Sequence, residues 1–145
     1  MTKAFEIIEH PADVGFLAYG RNLRELFENA ALAMCSLMAT RDQITEREER
    51  HISATGADLE SLLYAWLAEI LAVADAEQLV FRRVVVTELQ EPGRTSTGEV
   101  RGTAFGERFD RERHAAGTYI KAVTLHQFSI EKTDSGYRAR VFLDL

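Results

Sequence analysis

Apolar and polar positions along the 145-residue chain change period more than once, and those changes divide it into elements. Phe5 to Glu9 reads as a short strand, stopped at His10-Pro11 because proline has no N–H to give to a sheet ladder. A second strand from about Val14 to Gly20 alternates, which predicts a hairpin around Ala12-Asp13. Gly20-Arg21-Asn22 then opens a helix, with Asn22 as its cap and Glu25 placed to complete a capping box. Leu23, Leu26, Phe27, Ala30, Met34 and Leu37 recur at helical spacing and give that helix one apolar face, out to about Met38. Ile44 to Thr55 is charged, but Ile52 and Ala54 alternate, so this stretch reads as an edge strand with a solvated face. Gly56 ends it and Asp58 caps a second helix, whose stripe is Leu59, Leu62, Leu63, Trp66, Leu67, Ile70 and Leu71. Trp66, in the middle of the stripe, belongs to the core.

From Leu79 the period drops to two. Val80 to Leu89 is rich in β-branched residues, Glu91 to Ser96 is a turn-forming loop, and Glu99 to Glu107 is the next strand. Gly102-Thr103-Ala104-Phe105-Gly106 lacks the spacing of a phosphate loop and no helix follows it, so its glycines mark a bulge or a close backbone approach. Arg108 to His114 is a charged connection closed by Ala115-Ala116-Gly117. Thr118 to Thr124 leads into a strand in which His126, Phe128 and Ile130 share a face, and Asp134-Ser135-Gly136 turns the chain back. In the last strand Tyr137, Ala139, Val141 and Leu143 point one way, and Arg138, Arg140, Phe142 and Asp144 the other. Strand, strand, helix, strand, helix and then four strands in a meander define an α+β fold. Two helices pack on largely antiparallel β-sheet in a single domain over residues 1–145.

Composition narrows the function. With 46% apolar and 28% charged residues the chain is an ordinary folded domain. No apolar run reaches the roughly 20 residues of a membrane span, and the N-terminal residues have no signal-peptide core, so the expected location is cytoplasmic, without a membrane partner. The single cysteine, Cys35, lies on the buried side of the first helix and reads as a small core residue. A net charge of -6 argues against a direct grip on nucleic acid, so any RNA would be held by another protein.

Candidate chemistry sits at the two ends of the chain. Asp13, two positions after Pro11, is presented from a constrained turn, and Gly15 lets the backbone leave without a side chain in the way. Alone, Asp13 is as well explained by an Asx-turn to nearby N–H groups. Asp144 is followed by Leu145 and its α-carboxylate, a group with a reference pKa of about 3.5. If the ends meet, these anions could hold a hard divalent cation: calcium foremost, magnesium or manganese as alternatives, and not zinc. His10, His51, His114 and His126 match no compact metal motif and read as hydrogen-bonded residues, although His10 is placed to orient a ligand beside Asp13. Lys121 either snorkels to solvent or pairs with a phosphate or a partner's acid.

The blocks His10-Pro11-Ala12-Asp13-Val14-Gly15, Leu59 to Leu67, Gly106-Glu107 with Asp110 and His114, Lys121 to His126, and Leu143-Asp144-Leu145 resemble, in order and spacing, the archease family. The resemblance covers nearly the whole chain. It implies a non-catalytic protein that acts with the RtcB-type tRNA-splicing RNA ligase, promoting guanylylation of the ligase and its repeated turnover. It also implies a metal site at Asp13, Asp144 and Leu145, and a role in activation for Lys121. Tyr119 departs from the pattern, since the family often has an acid there. Two other readings stay open: a chaperone-like binding module for RNA-processing enzymes, and a stand-alone metal-dependent phosphohydrolase. The second lacks a nucleophile with an evident base, a glycine-rich phosphate loop and a paired-histidine helix.

Overall fold

The computed structural model describes residues 3–9 and 13–145. In chain order the elements are β1 (Phe5–Glu9), β2 (Asp13–Gly20), α1 (Leu23–Met38), β3 (Glu48–Gly56), α2 (Leu59–Glu77), β4 (Leu79–Gln90), β5 (Gly98–Arg108), β6 (Ala122–Val123), β7 (Ser129–Thr133) and β8 (Gly136–Asp144). The class is α+β, and every pairing among the described strands is antiparallel. The strands form two sheets. One runs β1-β2-β8-β6, with β7 also on β8; the other runs β3-β5-β4, which makes β3 an edge strand as its charges suggest. The expected terminal meander therefore divides: β4 and β5 stay with β3, and residues 109–121 carry the chain across to the first sheet. A two-residue period says which side chains share a face, but not which strand lies alongside.

Both helices start where their caps predict. Asn22 Oδ1 accepts from Glu25 N at 2.9 Å, but the Glu25 carboxylate returns to Arg21 N (3.0 Å), one residue ahead of the cap, and is held there by its ion pair with the Arg21 guanidinium. At α2 the box is complete: Asp58 Oδ1 accepts from Ser61 N, and Ser61 Oγ accepts from Asp58 N. Each helix touches both sheets, α1 at β2 and β4, and α2 at β3 and β6. Their apolar stripes make one core with Phe16, Val86, Val100, Val141 and Leu143. Trp66 is fully buried there and donates Nε1–H to the Phe27 carbonyl of α1 (3.2 Å), tying the helices together. A Cβ on Gly102 would stand 2.2 Å from the Val85 carbonyl and 2.8 Å from the Trp66 ring, so only glycine lets β5 pass beneath that indole. The ladder irregularities fall in the partner strand β4, between Phe81 and Arg83 and between Val86 and Glu88. Cys35 is buried, and that burial pushes its thiol up to about 12, which leaves it un-ionised and inert.

Two further expectations change. Ile44 does not open the edge strand; it follows a short 3-10 turn over Arg41–Gln43 and is buried against Ala39 and Val80, so β3 starts only at Glu48. His126 and Phe128 do not lie in a strand with Ile130. β6 and β7 share one edge of β8, and between Val123 and Ser129 the chain advances six positions while β8, from Leu143 to Arg140, advances three. The surplus loops out as a turn at His126-Gln127, where Gln127 takes a left-handed φ of 50° and Phe128 N bonds the Leu125 carbonyl.

Candidate functional site

The register of three strands brings chemistry-bearing residues to one end of the first sheet. Asp13, the first residue of β2, lies opposite Asp144 near the end of β8, and Asp144 lies opposite Ala122 of β6. Directly opposed residues stand about 4.5–5.5 Å apart at Cα and project to the same face, so the two aspartate side chains share it. What holds this register is the next row. Val14, Leu143 and Val123 are opposed there and all are buried in the core, so a slip of one residue would drive the acids inward. One row further, Gly15 is opposite Phe142. A Cβ on Gly15 would come within 2.7 Å of the Phe142 ring, so the glycine exists to let that ring lie flat on β2. Phe142 is buried although it shares the face of the acids, and the ring of His126 leans on it at 5.6 Å between centroids.

Asp13 is half-buried, with Oδ1 shielded from solvent, whereas Asp144 is exposed. Lys121 is also exposed, and its N–H donates to the Asp144 carbonyl at 2.8 Å, which fixes its backbone alongside the pair. Thr124 clamps the same strand, giving both N–H and Oγ1–H to the Phe142 carbonyl (3.0 Å each). Leu145, next to Asp144, is 47% exposed. Asp13, Asp144, Leu145 and Lys121 are thus gathered at one end of the sheet. His10 lies outside the described residues, while His51 is exposed on β3, on the other sheet. Among the described residues no three His, Cys, Asp or Glu side chains come together around a metal position. The side-chain donors present are two carboxylates, oxygen groups of the kind a hard divalent ion takes, and two alone leave its coordination to be completed.

A second carboxylate centre was not singled out as such from the sequence. Glu107, at the end of β5, is 3% exposed. Its Oε2 accepts from Thr45 N (2.6 Å), Arg113 Nη2 (2.9 Å) and His114 Nε2 (3.0 Å), and its Oε1 from Arg113 Nη1 (2.7 Å). His114 Nδ1 accepts from Asp110 N (2.9 Å), so the ring proton sits on Nε2 and points at Glu107. Burial opposes ionisation of Glu107, but the Arg113 fork, the Thr45 N–H, the His114 donor and the Arg113 charge outweigh it and bring the carboxyl down to about 2. This cluster ties the connection after β5 to the segment before β3. The signal available in the sequence was the grouping of Glu107, Asp110 and His114 in one block.

The described residues thus form a two-helix, two-sheet α+β domain in which β2 and β8 set Asp13 opposite Asp144. A sequence profile of the archease protein family matches residues 5–145. A protein archease from Methanosarcina mazei is 41% identical over 145 residues, covering 99% of this chain and 97% of the relative. The solution structure of Methanobacterium thermoautotrophicum protein 1598 superposes with a TM-score of 0.82 at 39% identity, covering 99% of this chain and all of that one. A Thermotoga maritima crystal structure described as an archease, possible chaperone, shares the fold at a TM-score of 0.59 and 18% identity, covering 100% of this chain and 98% of its own. The chain belongs to the archease family.

Proposed function

We propose that this protein activates an RtcB-type tRNA-splicing RNA ligase without itself catalysing a reaction, promoting guanylylation of the ligase and so its repeated turnover. The observation that carries the reading is the pairing of Asp13 with Asp144 in a chain that matches the archease family from residue 5 to residue 145. Like charges directly opposed across a ladder cost stability, and a fold keeps such a pair where the charges have a use. In this reading Asp13, Asp144 and Leu145 would hold a divalent ion, calcium foremost, which offsets the repulsion of the acids and offers positive charge to phosphate oxygens. Lys121, held beside Asp144 by its own N–H, supplies a mobile cation for a nucleotide phosphate or a partner's acid. RNA enters only through the ligase, as the net charge of -6 favours.

The test follows guanylylation of the ligase with Asp13→Ala and Asp144→Ala variants whose folding is checked by circular dichroism. The expected result is loss of stimulation; wild-type stimulation by a folded variant would remove the acids from the mechanism. The name of the Thermotoga structure points to a second reading, a chaperone-like module. That reading requires protection of an aggregating ligase that is indifferent to both aspartates, so the same two variants separate the readings. Silence of the isolated protein on nucleotides and phosphoesters is the expected outcome of an activity assay, and turnover there would make it an enzyme.

A further inference from the structure

A groove runs along α2 beside the segment that carries the chain from one sheet to the other. It has two hollows, of about 230 and about 210 Å³, which share Leu71, Asp75 and Ile120. Its outer wall, residues 116–120, is pinned to α1 and the residue after it. Ala116 bridges Ala39, Thr118 N donates to the Leu37 carbonyl (2.7 Å), and a Cβ on Gly117 would stand 2.4 Å from that same carbonyl. These contacts fix the wall, so the opening along α2 is built into the fold. Met38 and Phe109 add to the apolar lining of the first hollow, and Tyr119, 68% exposed, stands at its edge. The charged residue lining that hollow is Asp75, and no cation lines it. Asp75 is badly placed for stability alone. It lies in the last turn of α2, where the carbonyl end of a helix favours a cation, and that turn holds no basic residue. Glu77 in the same turn is answered by Arg50 at 2.9 Å. The Asp75 carboxylate has no hydrogen-bond or ion-pair partner among the described residues.

We infer that this groove binds a segment of a partner protein in which a lysine or arginine stands beside large apolar residues. The cation goes to Asp75 and the Tyr119 ring, and the apolar side chains fill the hollows. An open carboxylate and an aromatic face lining one apolar hollow are the set that recognises a cationic side chain. Size favours a segment over a small molecule. Each hollow is smaller than the roughly 300 Å³ at which drug-sized pockets begin, while the shared residues join the two into a path a chain can follow. Charge also gives the segment a direction. Lys121 lines the second hollow and repels a cation there, so the basic residue belongs at the Tyr119 end. This goes beyond the activator reading and does not need the Asp13–Asp144 pair.

The probe is a random dodecapeptide library displayed on phage and panned against the full chain, with the selected peptides then synthesised and titrated. Selected peptides are expected to carry lysine or arginine next to leucine, phenylalanine or a similar residue, and to shift the amide resonances of Gln78 and residues 116–120. Asp75→Asn and Tyr119→Ala are each expected to raise the Kd at least about tenfold, and Ile7→Ser, an exposed apolar change on β1, to leave it within about twofold. Asp75→Asn should also unfold at the wild-type urea concentration or above it, since the acid has no partner to lose. Selection of no peptide, of acidic or wholly apolar ones, shifts confined to other residues, or an unchanged Kd for Asp75→Asn overturns the groove. A marked fall in the stability of Asp75→Asn does the same, because the acid would then be structural. Self-association of the protein that the peptides disrupt would make the occupant a second copy and refute the partner segment.

Discussion

Two carboxylate centres in this molecule have opposite construction. Glu107 is buried, and every group around it is a donor or a cation: the Arg113 fork, the Thr45 N–H, His114, and Arg47 at 3.5 Å. Asp13 and Asp144 sit at the rim of a sheet, half-buried and exposed, with an acid facing an acid across the ladder. The first arrangement turns charge inward among cations; the second sets two acids opposite each other and turns Asp144 toward solvent. Carboxylates alone therefore do not mark a site. The sign of what surrounds them does.

The comparison breaks most easily at Glu107. Changing Glu107→Ala leaves His114 buried without its acceptor and the Arg113 fork without its anion, and losing one partner of a buried pair costs about 3 kcal/mol or more. Urea denaturation of the isolated protein should show that loss. If the variant unfolds at the wild-type urea concentration, the cluster is ornament and the contrast fails.

Acid sharpens the same point. Glu107 is held at about 2, below its ordinary value of 4.5, so the folded state binds its proton less readily than the unfolded chain. Its contribution is fully present above about pH 4.5 and is lost as pH falls from there toward about 2. Glu25, Glu46, Glu77 and Asp58 are also lowered by their partners, but they lie near the surface, where solvent screening leaves little to lose. Unfolding midpoints measured from pH 6 to pH 2.5 should fall steeply for the wild type and less steeply for Glu107→Gln. Parallel curves would assign the acid sensitivity elsewhere.

At the other centre the prediction concerns the ion. If Asp13 and Asp144 hold calcium in the folded state only, saturating calcium raises stability by about 2–3 kcal/mol at a hundredfold excess over the dissociation constant. Differential scanning fluorimetry with calcium, magnesium or manganese, against chelator, should show a rise in midpoint for the wild type and none for Asp144→Asn. An equal rise in both would place the ion elsewhere.

These contrasts also show what the sequence carries. Both helices, their caps and their buried stripes were legible because a 3.6-residue period identifies a face by itself, as Leu62, Trp66 and Ile70 do. The split into two sheets was not, since alternation in β4, β5 and β8 is the same whichever strand lies alongside. His126, Phe128 and Ile130 alternate as a strand would, yet the three surplus positions opposite β8 force a turn there; that mismatch exists only once the pairing partners are known. Periodicity likewise gives no reason to set Asp13 opposite Asp144, and the family resemblance alone joins the two ends. Glu107 stayed hidden because a glutamate at the end of a strand shows no partners until the fold sets Arg113, His114 and Thr45 around it.

The smallest effect is the most discriminating. With chelator present and no ion to offset the charges, Asp144→Asn removes one of two like charges held directly opposite each other, while the amide keeps the size and hydrogen-bonding reach of the side chain. Cross-strand pairs of this kind differ by about 0.2–1 kcal/mol, so the variant should be more stable than the wild type by that order, and the gain should shrink as salt screens the pair. The neutralising change at the other centre, Glu107→Gln, should destabilise under the same conditions, since there the lost charge sits among cations. Paired urea titrations at low and high salt read both. A loss of stability on removing the Asp144 charge would mean that this carboxylate, like Glu107, is held by favourable neighbours, and the two centres would then be of one kind.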